Sequence, residues 1–352
     1  MNRRASIVYV ALFLAWLGLV ASQQALRLVP ERPLVEKRAL AALPRLSWAQ
    51  IADGTLFQSL LGCYDDHAGF RATLIRANNQ WLRSLLHTSS NDKVIIGKAG
   101  WLFYSETVAD FLKEDGFATQ WEATLVANLC QLRDDLATRG VDFLLIIIPN
   151  KNTIYPEYMP DRFPRRPGPQ TYERVRDGLR ARGVWVIDLR PILLQHKAGG
   201  RLLYLPHDTH WNTFGSALGE REVVRQLCAH YHLPDLVQRR VIARQVAILP
   251  DLTAMIEGLT DAPRREEVCR LLPPVGRRLP PTLWYGDSFT MGRFASFIGP
   301  CFDSVTFLDF GTQPMPGNLE ANLAGKRLLV LATAERNIRN ALSSYAFPRC
   351  AQ

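Results

Sequence analysis

Two histidines and an aspartate lie within four residues of one another in LPHDTHWNTFGSALG, residues 205–219. His210 could act as a general base, and Asp208 could bond the second imidazole nitrogen and fix its tautomer. The same stretch permits a metal site formed by His207, Asp208 and His210, or a polar loop that caps the following helix. All three interpretations stay open on this stretch alone.

A serine that could serve as a nucleophile occurs in YGDSF, residues 285–289. Ser288 follows a predicted strand that runs into Gly286, and FTMGRFASF after it predicts a helix. Ligand sites of open α/β sheets lie at the carboxyl ends of strands, and a helix N-terminus there favours developing negative charge. We expect the backbone N–H of Ser288 to be one oxyanion donor. Gly-Asp-Ser is also a common turn, so its chemistry requires a base and an acid from elsewhere in the chain.

Three further residues follow a buried strand and could face the same site. Asn150 and Lys151 come at the end of the apolar run VDFLLIIIPN, and Tyr155 is close in sequence. They are candidate oxyanion or substrate contacts, although ending the strand and forming a turn would explain them equally well.

The rest of the chain alternates between two patterns. Continuous apolar runs such as VDFLLIIIPN are typical of strands buried on both faces, and EATLVANLCQLRDDLATRG has one apolar stripe at helical spacing. The same alternation continues through QTYERVRDGLRARG, VWVIDL, FGSALGEREVVRQLCAHY, TLWYGDS, VTFLDF and KRLLVLATAER, after a strand-turn-strand pattern in VIIGKAGWLFYSE. Residues 232–281 give no clear pattern. The alternation predicts an α/β fold, with a mainly parallel sheet and helices on both faces.

The N-terminus indicates export. Residues 1–25 combine the basic MNRR with an uncharged apolar run, as in a signal peptide or an uncleaved signal anchor. Arg3 and Arg4 would remain cytoplasmic, so the rest of the chain would face outward. We expect a periplasmic protein attached to the inner membrane through this segment. Residues 26–90 are expected to form a stalk and helical lead-in, and residues 91–352 a single catalytic domain.

The net charge and the cysteine content indicate which partners and metal sites the chain could have. The chain has 42 Lys and Arg against 33 Asp and Glu, a net charge of +9 that suits an anionic partner. The basic residues are spread and no nucleic-acid motif occurs, so no nucleic-acid partner is expected. Six cysteines occur without a CxxC pair, which argues against a zinc ribbon. Cys130 and Cys228 fit buried thiols, and the other four are the better disulfide candidates.

The ordered motifs GKAGWLFY, IIIPNKNTIYPEYMP, DTHW, GDSF and ATAER resemble the alginate O-acetyltransferase family, a group of periplasmic SGNH-hydrolase-like proteins. The similarity covers about residues 65–336. It implies an SGNH-hydrolase-like fold with permuted motif order, because the aspartate and histidine precede the serine here. It also implies Ser288 as nucleophile, His210 as base and Asp208 as orienting acid. Glu335 and Arg336 are expected to form a structural ion pair.

The resemblance implies serine-dependent O-acetyl transfer to an exported polysaccharide, through an acetyl-serine intermediate. This reaction needs no metal and no cofactor. A membrane-bound O-acyltransferase is the implied acetyl donor, and the basic charge is compatible with an anionic acceptor. Two alternatives stay open: a carbohydrate O-acetylesterase, and a non-catalytic glycan-binding subunit of an export complex.

Overall fold

The computed structural model describes residues 3–31, 33–34, 39–112, 118–165, 168–234, 236, 240–256, 264–271, 276–313 and 315–338. The chain divides into two compact units. One comprises Met1–Asn91 with Thr253–Asp261, and the other comprises Asp92–Leu252 with Ala262–Gln352. The catalytic residues expected from the sequence all lie in the second unit.

The first unit is helical where the structure describes it. Its helices are α1 (Arg3–Leu26), α2 (Trp48–Ala52), α3 (Thr55–His67) and α4 (Arg71–Leu85). By length and composition alone, α1 could cross a membrane, a criterion that a signal sequence also meets. Gly69, between α3 and α4, allows the chain to pass close to α1, because a β-carbon there would lie 2.2 Å from the carbonyl oxygen of Val20.

The described residues of the second unit form nine strands in three sheets. These strands are β1 (Val94–Ile96), β2 (Leu102–Tyr104), β3 (Asp142–Ile148), β4 (Trp185–Asp188), β5 (Arg240–Ile248), β6 (Arg264–Leu271), β7 (Thr282–Gly286), β8 (Val305–Asp309) and β9 (Leu328–Ala334). The central sheet has the order β4-β3-β9-β7-β8, and all its recorded pairings are parallel. Antiparallel pairs β1-β2 and β5-β6 flank it.

Helices cover both faces of the central sheet. The helices that begin in this unit are α5 (Val108–Leu112), α6 (Ala118–Ala137), α7 (Lys151–Ile154), α8 (Thr171–Arg180), α9 (Arg190–Lys197), α10 (Thr213–His230), α11 (Asp251–Met255), α12 (Arg293–Ile298) and α13 (Met315–Leu323). Leu144, Ile146 and Ile148 of β3 pack in the hydrophobic layer that includes residues of α9, α10 and α12. Phe143, Leu145 and Ile147 pack in the opposite layer with α6 and α8. The predicted parallel α/β architecture is therefore confirmed, since both faces of its strands are buried.

The structure differs from the sequence-based expectations at three places. Residues 232–281, which gave no clear pattern, contain the hairpin β5-β6. The helix expected directly after Ser288 begins only at Arg293, because residues 287–292 form turns. Cys63 and Cys301 were disulfide candidates and are free thiols, as are Cys130 and Cys228. The Cys269 side chain and Cys350 lie outside the described part of the chain.

Candidate active site

Ser288 lies in a tight turn at the carboxyl end of β7. The turn closes through hydrogen bonds from the N–H groups of Thr290 and Met291 to the carbonyl of Asp287, and the Ser288 side chain is exposed. Gly286 is required by close approach, because a β-carbon there would lie 1.9 Å from Thr290 Oγ1. The glycine thus allows the chain to fold back on itself and present Ser288 at the sheet edge.

The neighbouring Asp287 fixes this turn to the next strand. Its Oδ2 accepts hydrogen bonds from Ala334 N at 2.7 Å and from Asn337 Nδ2 at 2.8 Å. Its Oδ1 accepts a hydrogen bond from Phe289 N at 3.0 Å. The aspartate of the Gly-Asp-Ser motif is therefore a structural residue that ties the nucleophile turn to the end of β9.

The loop with Asp208 and His210 is held from both ends. A bridge pairs Tyr204 with Trp211, and Asn212 caps α10 by accepting a hydrogen bond from Gly215 N at 2.9 Å. Behind the loop, Lys151 Nζ donates to the carbonyl of Asp208 at 2.6 Å. A loop fixed at its start, its end and its back can hold side chains in one geometry.

The structure brings Asp208, His210 and Ser288 into one hydrogen-bonded line. His210 Nε2 lies 2.9 Å from Ser288 Oγ, and His210 Nδ1 lies 3.0 Å from Asp208 Oδ1. Asp208 Oδ1 also accepts the backbone N–H of His210 at 2.9 Å. With the proton on Nδ1, Nε2 is free to accept the serine proton, which is the geometry of a nucleophile activated by an oriented base.

A second carboxylate reaches the same imidazole, and sequence reasoning missed it. Asp251 Oδ2 lies 3.4 Å from His210 Nδ1 and accepts the hydroxyl of Thr209 at 2.5 Å. Asp251 follows β5 at the start of α11, in the stretch whose pattern was unreadable. The four β-branched residues in RVIARQVAI were the signal that could have identified the preceding strand.

Opposing effects set the protonation of this site. Burial of the imidazole disfavours its charged form, but hydrogen bonds to Asp208 and Asp251 outweigh burial and raise the pKa of His210 to about 9. Burial would raise the pKa of Asp251, yet its hydrogen bonds to His210 and Thr209 prevail and lower that pKa. The two carboxylates therefore stabilise the imidazolium that forms when His210 takes up a proton.

A cavity of about 290 Å³ opens beside Ser288. Its wall combines apolar side chains with a few polar groups, a composition typical of small-ligand sites. Among the lining residues are His210, Trp211, Ser216, Ile248, Leu249, Glu266, Ser288, Phe289, Met291 and Phe294. Trp211, packed against Phe289 and donating its indole N–H to the Phe289 carbonyl at 3.1 Å, forms part of this wall.

Asn150, Lys151 and Tyr155 lie behind the catalytic loop rather than in the lining of this cavity. All three are buried, and Lys151 Nζ is bonded to backbone carbonyls. The hydroxyl of Tyr155 accepts the N–H of Leu203 at 2.9 Å. In the structure Lys151 and Tyr155 therefore support the backbone of the loop, and Asn150 occupies the N-cap position of the short helix α7 without a side-chain capping bond.

The expected ion pair between Glu335 and Arg336 is wrong. Glu335 is fully buried beneath the site and bonds Arg190 at 2.5 Å and Asn150 N at 2.8 Å. Arg336 points the other way, with its guanidinium carbon 4.9 Å from the ring centre of Phe289 and 5.3 Å from that of Tyr104. Adjacent charges in a sequence need not pair when the chain turns between them.

The candidate metal ligands are only partly brought together. Among the described residues, Asp208, His210 and Asp251 offer donor atoms within 4.8 Å of one another, and His207 is not part of that group. The carboxylate oxygens of Asp208 and Asp251 already accept hydrogen bonds from N–H and O–H groups. The geometry is thus that of carboxylates orienting an imidazole.

Residues 94–267 match the family model of the SGNH hydrolase-like domain of acetyltransferase AlgX. The match covers 174 of the 352 residues of the chain. It contains Asp208, His210 and Asp251 and ends before Ser288. The expected resemblance to the alginate O-acetyltransferase family is thereby confirmed, together with the SGNH-hydrolase-like fold.

Individual relatives agree with this family. The chain is 31% identical over 154 residues to the probable alginate O-acetylase AlgJ of Pseudomonas aeruginosa, covering 43% of this chain and 37% of that protein. To the probable alginate O-acetylase AlgJ of Pseudomonas syringae pv. tomato it is 25% identical over 225 residues, covering 63% and 52%. Its fold resembles the O-acetyltransferase domain of Pseudomonas putida AlgJ, with a TM-score of 0.54 at 21% identity over 70% of this chain and 91% of that one. These alignments span about a third to a half of the curated relatives.

Proposed function

We propose that this protein is a serine-dependent O-acetyltransferase that modifies an exported polysaccharide. The observation that carries the proposal is the hydrogen-bonded line from Asp208 through His210 to Ser288, within a fold of the acetyltransferase family. Acetyl transfer by way of a covalent intermediate divides one difficult step into two easier ones.

In the first half-reaction, Ser288 Oγ attacks the acetyl carbonyl of the donor while His210 Nε2 takes the hydroxyl proton. The backbone N–H of Ser288, which donates to no described acceptor, is available to the oxyanion. Collapse of the tetrahedral intermediate breaks the bond to the donor, and the imidazolium returns its proton to the leaving group. The product is acetyl-Ser288 with a neutral His210.

In the second half-reaction, a sugar hydroxyl gives its proton to His210 and attacks the acetyl carbonyl. The bond to Ser288 Oγ then breaks, and the serine recovers its proton from His210. Water in place of the sugar would make the protein an esterase. The cavity beside Ser288, lined by both apolar and polar side chains, is the space through which a sugar would reach the acetyl carbonyl.

The relatives suggest the acceptor. They are probable alginate O-acetylases, and the net charge of +9 of this chain suits a polymer of negative charge. We propose an anionic exported polysaccharide as acceptor and a membrane-bound O-acyltransferase as donor. Helix α1 supports a periplasmic location with attachment to the inner membrane.

The test is acetylation of the purified full chain by p-nitrophenyl acetate, followed by intact-protein mass and by product analysis with oligosaccharide acceptors. We expect one acetyl group on Ser288, transferred to the acceptor faster than to water. Ser288→Ala and His210→Ala should lower turnover by about 10³-fold or more, whereas Ser304→Ala, at an exposed serine before β8, should not. Release only of free acetate would identify an esterase. Glycan binding with no labelling of Ser288 would identify a binding subunit.

A further inference from the structure

The mechanism above gives no role to Asp251, although its carboxylate lies against the catalytic base. Asp251 Oδ2 is 3.4 Å from His210 Nδ1, compared with 3.0 Å for Asp208 Oδ1. The two aspartate side chains are only 25% and 17% exposed. Their charges therefore act on the imidazole in a medium less polar than bulk water.

Asp251 is held in this position by several groups rather than left to rotate. Its Oδ1 accepts Thr209 N at 2.7 Å, and its Oδ2 accepts the Thr209 hydroxyl at 2.5 Å. Its own backbone N–H donates to Asp208 Oδ2 at 3.1 Å. Each carboxylate thus accepts a hydrogen bond from the loop that carries the other one, and one oxygen of each lies toward His210 Nδ1.

The Thr209 hydroxyl completes the arrangement. Its oxygen lies 3.1 Å from His210 Nδ1 while its proton is directed to Asp251. The single N–H at Nδ1 therefore meets three oxygen acceptors, two on carboxylates and one that relays to a carboxylate. A simple triad needs only one of these.

We propose that Asp251 is a second positioning residue, so that the catalytic His210 works between two carboxylates. The inference rests on the proposed function for its catalytic meaning. When Ser288 gives up its proton, the resulting imidazolium is stabilised by both acids. Each acid also restrains the imidazole ring, and each can partly replace the other.

Other titratable groups surround this cluster from neighbouring elements. Tyr104 of β2 and Lys151 of α7 interact electrostatically with Asp251. Arg336 lies over the Phe289 ring that also packs on His210, and Glu266 of β6 lines the cavity. Among the described residues, the recorded contacts of Nδ1 within bonding distance come from Asp208, Thr209 and Asp251. The local pH response should therefore depend chiefly on the two acids.

The direct test is a histidine NMR titration of the full chain in detergent, with the His210 signal assigned by its loss in His210→Gln. In the wild type we expect a midpoint near the raised pKa of about 9. Asp251→Asn keeps the shape and removes the charge, so it should lower the midpoint by about one unit or more. Asp208→Asn should act in the same direction. The matched control Asp309→Asn, at the end of β8, should leave the midpoint unchanged.

The catalytic test is the rate of Ser288 acetylation by p-nitrophenyl acetate as a function of pH. The rate should rise with pH because the base acts when neutral, and the rise should move to lower pH in Asp251→Asn. Its plateau should fall by about 10-fold, and Asp208→Asn/Asp251→Asn together should cost more than about 10²-fold. If the two acids substitute for each other, the loss of rate in the double variant should exceed the product of the losses in the two single variants.

An unchanged His210 midpoint in Asp251→Asn overturns the inference, and a lower plateau at that midpoint would assign Asp251 to loop packing alone. If the wild type never acetylates Ser288 while the midpoint still shifts, the proposed function fails and the two-carboxylate arrangement stands. Should Asp251→Asn not fold, Thr209→Val removes the relay hydroxyl and should lower the midpoint less. A wild-type midpoint in Thr209→Val would then contradict the inference.

Discussion

The buried side chain of Lys151 holds the loop that carries Asp208 in place. Lys151 is 4% exposed, and its Nζ donates to the carbonyls of Leu205, Pro206 and Asp208 at 3.3, 3.0 and 2.6 Å. It also lies 5.1 Å from the ring centre of Phe103. One side chain thereby holds three backbone carbonyls of the loop that contains Asp208 and His210.

Replacing Lys151 by methionine should keep the volume and release this loop. We expect acetylation of Ser288 to fall by about 10-fold or more, because small displacements of catalytic groups are costly. Loss of the buried hydrogen bonds should lower the free energy of unfolding by about 1–3 kcal/mol. The control is Lys98→Met, which removes an exposed pair with Asp161 that should contribute about 0–1 kcal/mol. Wild-type rate and stability in Lys151→Met would show that the loop is held by other contacts.

The same variant has a defined pH response. Burial lowers the pKa of Lys151 to about 7, below its value of about 10.4 in an unfolded chain. Between these values the unfolded chain binds the extra proton, so the Lys151 contribution to stability increases with rising pH and is lost as pH falls through about 7. Thermal unfolding of wild type against Lys151→Met across this range checks the sign.

At the scale of single residues, the sequence predicted which residues belong to the site better than it predicted what their side chains contact. Each of the stretches with Asp208, His210 and Ser288 left several interpretations open by itself, and the ordered family motifs were what favoured an acid, a base and a nucleophile. Lys151 was assigned to the correct region, but whether its ammonium faces substrate or backbone depends on packing that no local pattern contains. Arg336 shows the same limit, since its partner is an aromatic ring more than 40 positions away.

The turn after β7 is the element on which the nucleophile depends. It follows a strand paired on both sides, and Asp287 ties it to Ala334 at the end of β9. Gly286 lies where a side chain would meet Thr290 Oγ1 at 1.9 Å and Met291 Cε at 3.1 Å. Thr290 is fully buried.

Gly286→Ala should therefore displace the turn rather than fill a gap. We expect a loss of about 1–3 kcal/mol in stability, which is typical of overpacking, and a larger proportional loss of Ser288 acetylation than of folded protein. Gly299→Ala is the matched control, because a β-carbon there meets Phe307 at an ordinary 3.6 Å. Thermal melts and acetylation rates of both variants decide the point. Equal effects of the two substitutions would contradict it.

Elements with a clear apolar pattern were predictable from the sequence, and those without one were not. The strands of the central sheet read clearly because both faces are apolar, as in residues 142–148. The hairpin β5-β6 was missed because β6 has the sequence RREEVCRL, whose charges hide any alternation. Asp251 lies between the two strands of that hairpin and Glu266 lies in β6, so the sequence analysis did not identify either residue as part of the site.

On the scale of the whole molecule, α1 should determine whether the protein stays attached to the membrane. It is a 24-residue apolar helix, and Leu14 near its middle is 59% exposed. Leu14→Arg would place a charge in the bilayer at a cost of about 2.5–3.5 kcal/mol, so less protein should remain in washed membranes. The control Leu194→Arg changes a 41% exposed leucine of α9 and should fractionate like wild type. Equal membrane fractions for wild type and Leu14→Arg would argue against α1 as an anchor.

Long-range organisation was the part least accessible to the sequence. A single catalytic domain was expected after residue 90, yet Thr253–Asp261 is grouped with the N-terminal unit. Such an excursion leaves no local pattern, because it depends on which distant surfaces the segment contacts. The parallel sheet itself was predictable, but its order β4-β3-β9-β7-β8 was not.

That strand order has a consequence for the nascent chain. β9 is the last strand to be synthesised, yet it stands between β3 and β7, and Ala334 supplies one of the bonds that hold the Ser288 turn. A polypeptide that has emerged only to β8 contains Asp208, His210 and Ser288 but lacks the strand that holds the Ser288 turn. If the proposed function holds, we expect a chain truncated before β9 to show no acetylation of Ser288.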